Sequence, residues 1–139
     1  WKELPYSRHI LWIEDSDNSI IISDNVTIEG AHIAVTGKGK KVTIGNDCMI
    51  SYDVTFRTGD SHAIIQNGKK INDEKDIELS EHIWTGQGVT ILKGVHIASN
   101  SIVGNGSLVT HDIESNTLNV GFPSHVIKNN INWSRQRFL

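Results

Sequence analysis

A chain of 139 residues with a formal net charge of −3 and a pI near 6.1 favours one domain. It carries no bulk charge signal for nucleic acid or for an anionic membrane surface. Its single cysteine, Cys48, rules out an internal disulfide framework and suits a reducing compartment, the cytoplasm. No run of ~18 apolar residues exists to span a membrane, and no secretory signal is read at the start. Helix signals are poor, while Ile, Val and Thr are frequent, which leans towards strand.

Along the chain, Trp1 to Asp17, with Leu4, Ile10, Leu11, Trp12 and Ile13, is the candidate N-terminal cover of whatever follows. A six-residue period then begins. ISDNVT starts at Ile22 and IEGAHI at Ile28, which puts His32 on a fifth, inward position. "TGKGKK" shifts the phase and reads as a loop bulging from a stack, its "KGKK" a solvated turn. IGNDCM, ISYDVT and FRTGDS resume the period from Ile44. From Leu79 six hexads run in register: LSEHIW, TGQGVT, ILKGVH, IASNSI, VGNGSL, VTHDIE. First positions are bulky and apolar except Thr85, and fifth positions are small or β-branched.

Such a period predicts an all-β chain wound as a parallel β-helix. Each hexad is one short strand and one turn, with two inward residues flanking one outward residue. Three hexads close one coil of a triangular prism, and Gly, Asn and Asp serve the turns. The expected layout is one domain over 1–139: a cap over 1–21, coils over 22–115 and a C-terminal tail over 116–139 that ends in "SHVIKNNINWSRQRFL". The period alone does not give the handedness.

Within the stretch from Val54 to Gly86 the period stops altogether, and the break begins at His62. The segment from Ala63 to Asp76 carries no hexad pattern and reads as an excursion loop. On periodicity alone His62 is equally a functional base or the anchor of a structural loop. An imidazole is suited to take a proton from a hydroxyl at neutral pH. Cys48 falls on an inward position and reads as a small core residue rather than a nucleophile. No histidine or cysteine pair has metal-site spacing, so no metal is expected.

The hexads, then "IWTGQGVTILKGVHIASNSIVGNGSLVTHDI" and "NVGFPSHVIK", resemble the hexapeptide-repeat acyltransferases from about Ile22 to Lys128. "GDSHAI" followed by a loop and "INWSR" look closest to bacterial O-acetyltransferases of capsule and lipopolysaccharide sugars. The resemblance implies a left-handed parallel β-helix that takes acetyl-CoA as co-substrate, and a homotrimer with its sites between subunits. It implies His62 as catalytic base, the 63–76 loop shaping the acceptor pocket, and Asp60, Ser61 and Asn67 near the acceptor. It implies Trp84, Gly86, Gln87, Asn105, Thr110, His111 and Lys128 along the CoA groove, with the backbone amide near Gln87 holding the thioester oxygen. Asp60, Ser61, Glu14, Asp15 or a backbone carbonyl is left open as the group that orients His62. The implied reaction is acetyl transfer to a hydroxyl of a sugar or surface polysaccharide. N-acetylation of an amino sugar or small xenobiotic, and a non-catalytic scaffold, are the rival readings. Thr85 at a first position, and Phe122, His111 and His125 where Asn or basic residues are common, depart from the family pattern.

Overall fold

The computed structural model describes residues 9–139, so Leu4 and the rest of the start of the expected cover lie outside it. Short strands follow one another through three faces in rotation, with only an isolated bridge at Ile113 on the second face in the last circuit. The first face stacks β1 (Ile10–Ile13), β4 (Ala31–Val35), β7 (Val54–Arg57), β12 (Thr90–Leu92) and β15 (Leu108–Val109). The second stacks β2 (Ser19–Ile22), β5 (Lys41–Ile44), β10 (Ile77–Leu79) and β13 (His96–Ile97). The third stacks β3 (Thr27–Ile28), β6 (Met49–Ile50), β11 (Trp84–Thr85), β14 (Ile102–Val103) and β16 (Leu118–Gly121), and β17 (Ser124–Lys128) closes its edge. Every pair within these faces is parallel except β16 with β17. A separate hairpin, β8 (Ile65–Gln66) and β9 (Lys69–Lys70), stands apart from the prism.

The hexad frame from Leu79 is met in full. Leu79, Ile83, Thr85, Val89, Ile91, Val95, Ile97, Ser101, Val103, Ser107, Val109 and Ile113 are all buried. Thr90 stacks on Leu108 and Leu79 on Ile97, so one circuit takes eighteen residues, three hexads. Each fully buried Val or Ile contributes about 1.5–3 kcal/mol, and stability accrues coil by coil between neighbours rather than from one large centre. The inward hydroxyls are mostly satisfied. Ser101 donates to the carbonyls of Ala98 and Glu114, and Ser107 to that of Gly104. Thr85 is an exception, for its Oγ1 is buried with no partner, and so is the Oγ1 of Thr36 just after β4.

Upstream the circuit lengthens to twenty-two residues, as in Ile22 stacked on Ile44. The extra residues sit at one edge of the prism. The bulge at Thr36–Lys40 has a counterpart at Glu14–Asn18, and the two stack through the Ser16 and Lys38 bridge. Asp15 accepts the Gly37 N–H at 2.8 Å, while the Asn18 amide donates to the Gly37 carbonyl and accepts the Lys40 N–H. Ile10–Ile13, read from sequence as part of a cover, thus form the first strand of the stack. Leu11 and Ile13 pair with buried Ile33 and Val35, yet they are 58% and 53% exposed at the end of the prism.

His32 corrects the sequence frame. The turn at Gly30 is one residue shorter than a hexad turn, so Ala31 and Ile33 point inward and His32 points out. That places His32 on the outer surface of the first face, beside the excursion loop.

Candidate active site

The loop leaves the prism at the same edge as the two bulges, one coil further on. Thr58 is buried and holds this exit: its Oγ1 accepts the Thr36 N–H and donates to the Thr36 carbonyl. Gly59 must be glycine here, because a Cβ would fall 2.5 Å from Thr36 Oγ1. The chain then crosses Asp60, Ser61 and His62 and turns out into the hairpin, whose tip Asn67-Gly68 has φ of 50° and 74° at its two central residues. It re-enters where the Lys75 N–H donates to the Thr58 carbonyl.

One buried amide fixes the His62 segment. Asn72 is 7% exposed. Its Nδ2 donates to the His62 carbonyl and to Asp60 Oδ2, both at 2.8 Å, and its Oδ1 accepts the Ile64 N–H at 2.7 Å. Asp60 in turn accepts from Lys93 on the next coil at 2.6 Å. Lys93 and then Asn72 hold the Asp60 carboxyl below its ordinary value. Asp60 therefore ties the loop to the prism, rather than standing free to meet an acceptor. Asn67 lies at the exposed hairpin tip and does not line the cavity described next.

His62 opens onto a cavity of about 400 Å³ lined by Trp12, Glu14, His32, Ala34, Thr36, Arg57, Ser61 and His62. The imidazole has no hydrogen-bond partner among the described residues. Of the acids considered for orienting it, Glu14 lines this cavity, whereas Asp15 is engaged with Gly37 and Asp60 with Asn72 and Lys93.

The residues expected along a CoA groove are spread over the prism. Gly86, Gln87 and Asn105 share one edge. Thr110 and His111 follow β15 at another edge. Trp84 stands outward on β11, 36% exposed, and Lys128 ends β17 on the same face. Within one chain these do not converge on one site. The amide at Gln87 is not free for an oxyanion. It donates to Asn105 Oδ1 at 2.9 Å, while the Gly86 and Gly88 amides donate to the carbonyls of Val103 and Tyr52. Gly86 has a structural reason to be glycine, since a Cβ would meet Asn105 Oδ1 at 2.2 Å. Cys48 is fully buried, and burial pushes its thiol up to about 11, which fits a core residue. No cluster of three or more metal-ligating side chains occurs among the described residues.

A second polar cluster holds the C-terminal tail. Trp133 stacks on the His82 ring at 4.0 Å, and its Nε1 donates to the His82 carbonyl. His82 Nδ1 lies 2.6 Å from Asp47 Oδ2 and Nε2 lies 3.0 Å from the Trp133 carbonyl. Arg135 donates to Asp47 Oδ1, to Thr27 Oγ1 and to the carbonyls of Asn25 and Cys48. The Arg135 guanidinium, then His82, holds the Asp47 carboxyl below its ordinary value. Nothing in the sequence signals this clamp, nor Asn72 or Arg57: His82 and Arg57 sit on regular hexads, and Asn72 lies in the loop, where no period exists to mark it.

Comparison with known proteins follows the same lines. No family model matches the chain. A polysialic acid O-acetyltransferase of Escherichia coli O1:K1 / APEC is 44% identical over 120 residues, which is 85% of this chain and 39% of that protein. The crystal structure of the polysialic acid O-acetyltransferase OatWY matches with a TM-score of 0.84 at 34% identity, over 88% of this chain and 59% of that one. The polySia-specific acetyltransferase NeuO matches with a TM-score of 0.76 at 36% identity, over 88% and 67%. The chain belongs to the hexapeptide-repeat acetyltransferases. Its prism is the left-handed parallel β-helix of that family. The chain spans less than half the length of the E. coli relative.

Proposed function

We propose that the chain is a single acyltransferase domain of the cytoplasm that moves acetyl from acetyl-CoA to a hydroxyl of a sugar or surface polysaccharide, with His62 as general base. One observation carries this reading: His62 stands where the loop leaves the helix, its backbone pinned by Asn72, and opens onto the Trp12–Arg57 cavity. A hydroxyl attacks a thioester carbonyl only as its proton begins to leave. His62 takes that proton as the new C–O bond forms and returns it to the departing thiolate as the C–S bond breaks. Such help is worth roughly 10²- to 10⁴-fold in rate, and no covalent intermediate on the protein is needed.

The donor groove requires two chains. Trp84, Gln87, Asn105, Thr110, His111 and Lys128 lie on different edges and faces of one prism, so a homotrimer with shared sites is the assembly that would let them serve one CoA. The engaged amides at Gly86, Gln87 and Gly88 leave the oxyanion donor to another group. The relatives named for polysialic acid make a sialic acid polymer the first acceptor to try.

The test is to incubate the protein with acetyl-CoA and a panel of sialic acid oligomers, galactosides and amino sugars, and to follow the acceptor by mass spectrometry. The expected product gains one acetyl group that mild alkali removes, as an ester requires. An alkali-stable acetyl would establish an amide and N-transfer instead. No acetylated product with any acceptor, together with no CoA binding by calorimetry, would contradict the reading.

A further inference from the structure

The cavity beside His62 holds one guanidinium that is not spent on a carboxylate. Strand register places Trp12, Ala34, Arg57 and Leu92 in one outward row on the first face. Trp12 and Arg57 are large, and Ala34 between them offers only a methyl, so the row has a depression at its second step. Ser61 and His62 wall that depression on the loop side, and Glu14 lines it as well. Arg57 makes one hydrogen bond, from a terminal nitrogen to Ser61 Oγ at 3.2 Å, which turns its head towards the loop. Three neighbouring cations are already paired: Lys93 on Asp60, Lys70 on Glu74 and Arg135 on Asp47. No carboxylate lies within ion-pair distance of Arg57 among the described residues.

A guanidinium is a planar fork of donors that fits a carboxylate with two parallel hydrogen bonds. Trp12, 53% exposed, adds a flat aromatic surface on the far side of Ala34. We propose that Arg57 is a specificity-determining residue that receives a carboxylate of the acceptor in the His62 cavity, so that acidic sugars are preferred over neutral ones. The negative charge of Glu14 in the same cavity repels that carboxylate and confines it to the Arg57 end. The inference rests on the acetyltransferase reading above. A phosphate of the donor offers the same anionic chemistry to Arg57, so the test separates the two sources.

Steady-state kinetics are compared for wild type, Arg57→Gln and Arg57→Lys. The acceptors are a sialic acid oligomer and the same oligomer with its carboxyl groups converted to amides. Thermal unfolding of each variant checks that it is folded. Wild type is expected to favour the acidic oligomer in kcat/KM by about 10-fold or more, the scale of a lost hydrogen bond to a charged group. Arg57→Gln is expected to abolish the preference by raising KM for the acidic oligomer, with the KM for acetyl-CoA within about 2-fold. Arg57→Lys, which keeps the charge, should retain part of the preference. Survival of the full preference in folded Arg57→Gln, or a loss that falls on the acetyl-CoA KM, overturns the assignment and leaves the acetyltransferase reading intact. Transfer to neither oligomer nor any other sugar overturns both.

Discussion

Thr85 and Asn72 are both buried and polar, and they make opposite contributions. Thr85 faces the core with an unpartnered hydroxyl where its ladder neighbours Ile50 and Val103 are apolar. A buried unsatisfied hydroxyl costs about 1–3 kcal/mol. Thr85→Val, of nearly the same shape, is expected to raise stability by about 1 kcal/mol in chemical denaturation and to leave acetyl transfer unchanged. Unchanged or lower stability would show that the hydroxyl is satisfied after all. Asn72 uses both ends of its amide on three loop groups. Asn72→Ala frees the backbone on both sides of His62, so kcat should fall about 10-fold or more while the KM for acetyl-CoA holds. A variant with wild-type kcat would show that the loop positions His62 without that amide. The place of His62 was legible in the sequence because the six-residue period stops there. Arg57 and Trp12 were not, because forty-five positions of chain separate them and only strand stacking brings them into one row. A loop amide such as Asn72 leaves no periodic trace at all.

Strands and turns decide how far the sequence could be read. From Leu79 every corner has the same length, so the inward positions fall every fourth and second residue without a slip and all are buried. Upstream the corners differ: a short turn at Gly30, a long one at Thr36–Lys40 and the excursion after Thr58. A period-based frame slips at each of these, and His32 was misread for that reason. The excursion is held to the prism by charge as well as by hydrogen bonds. Lys93 and Asn72 lower the Asp60 pKa, so the carboxylate form is favoured in the folded chain. A lowered folded value means that the stabilisation is present above the ordinary carboxylate value of 3.8 and is lost as pH falls through the lower folded one. The Asp60 side chain is 45% exposed, so solvent screening limits the gain to about 1 kcal/mol or less. Asp60→Asn should therefore melt slightly below wild type at pH 7, and the gap should close at a pH well under 3.8. A gap that persists undiminished in strong acid would assign it to lost packing rather than to charge.

Taken whole, the molecule is a narrow prism whose donor-site candidates face in different directions. Trp84 stands outward on the third face, and the His62 cavity lies on the first. The proposed sharing of sites between subunits predicts complementation. His62→Ala and Trp84→Ala chains, each inactive alone, should regain part of the activity when unfolded and refolded together, because some mixed trimers then contain one site with both residues intact. No recovery in refolded mixtures of confirmed trimers would place both residues in a site built by one chain. The tail clamp acts at this scale too. Trp133 and Arg135 tie the last residues to coils some fifty and ninety positions earlier. The handedness of the prism, by contrast, was never in the period; it came with the resemblance and stands on the structural relatives.

The central claim is that His62 removes the acceptor proton during acetyl transfer. The most direct measurement is acceptor-dependent thiol release from acetyl-CoA by wild type and by His62→Ala, with CoA affinity measured on both. A fall in kcat of at least ~10²-fold, with CoA binding retained, is the predicted result. A His62→Ala protein that turns over within a few-fold of wild type would contradict it and leave His62 as the anchor of the loop.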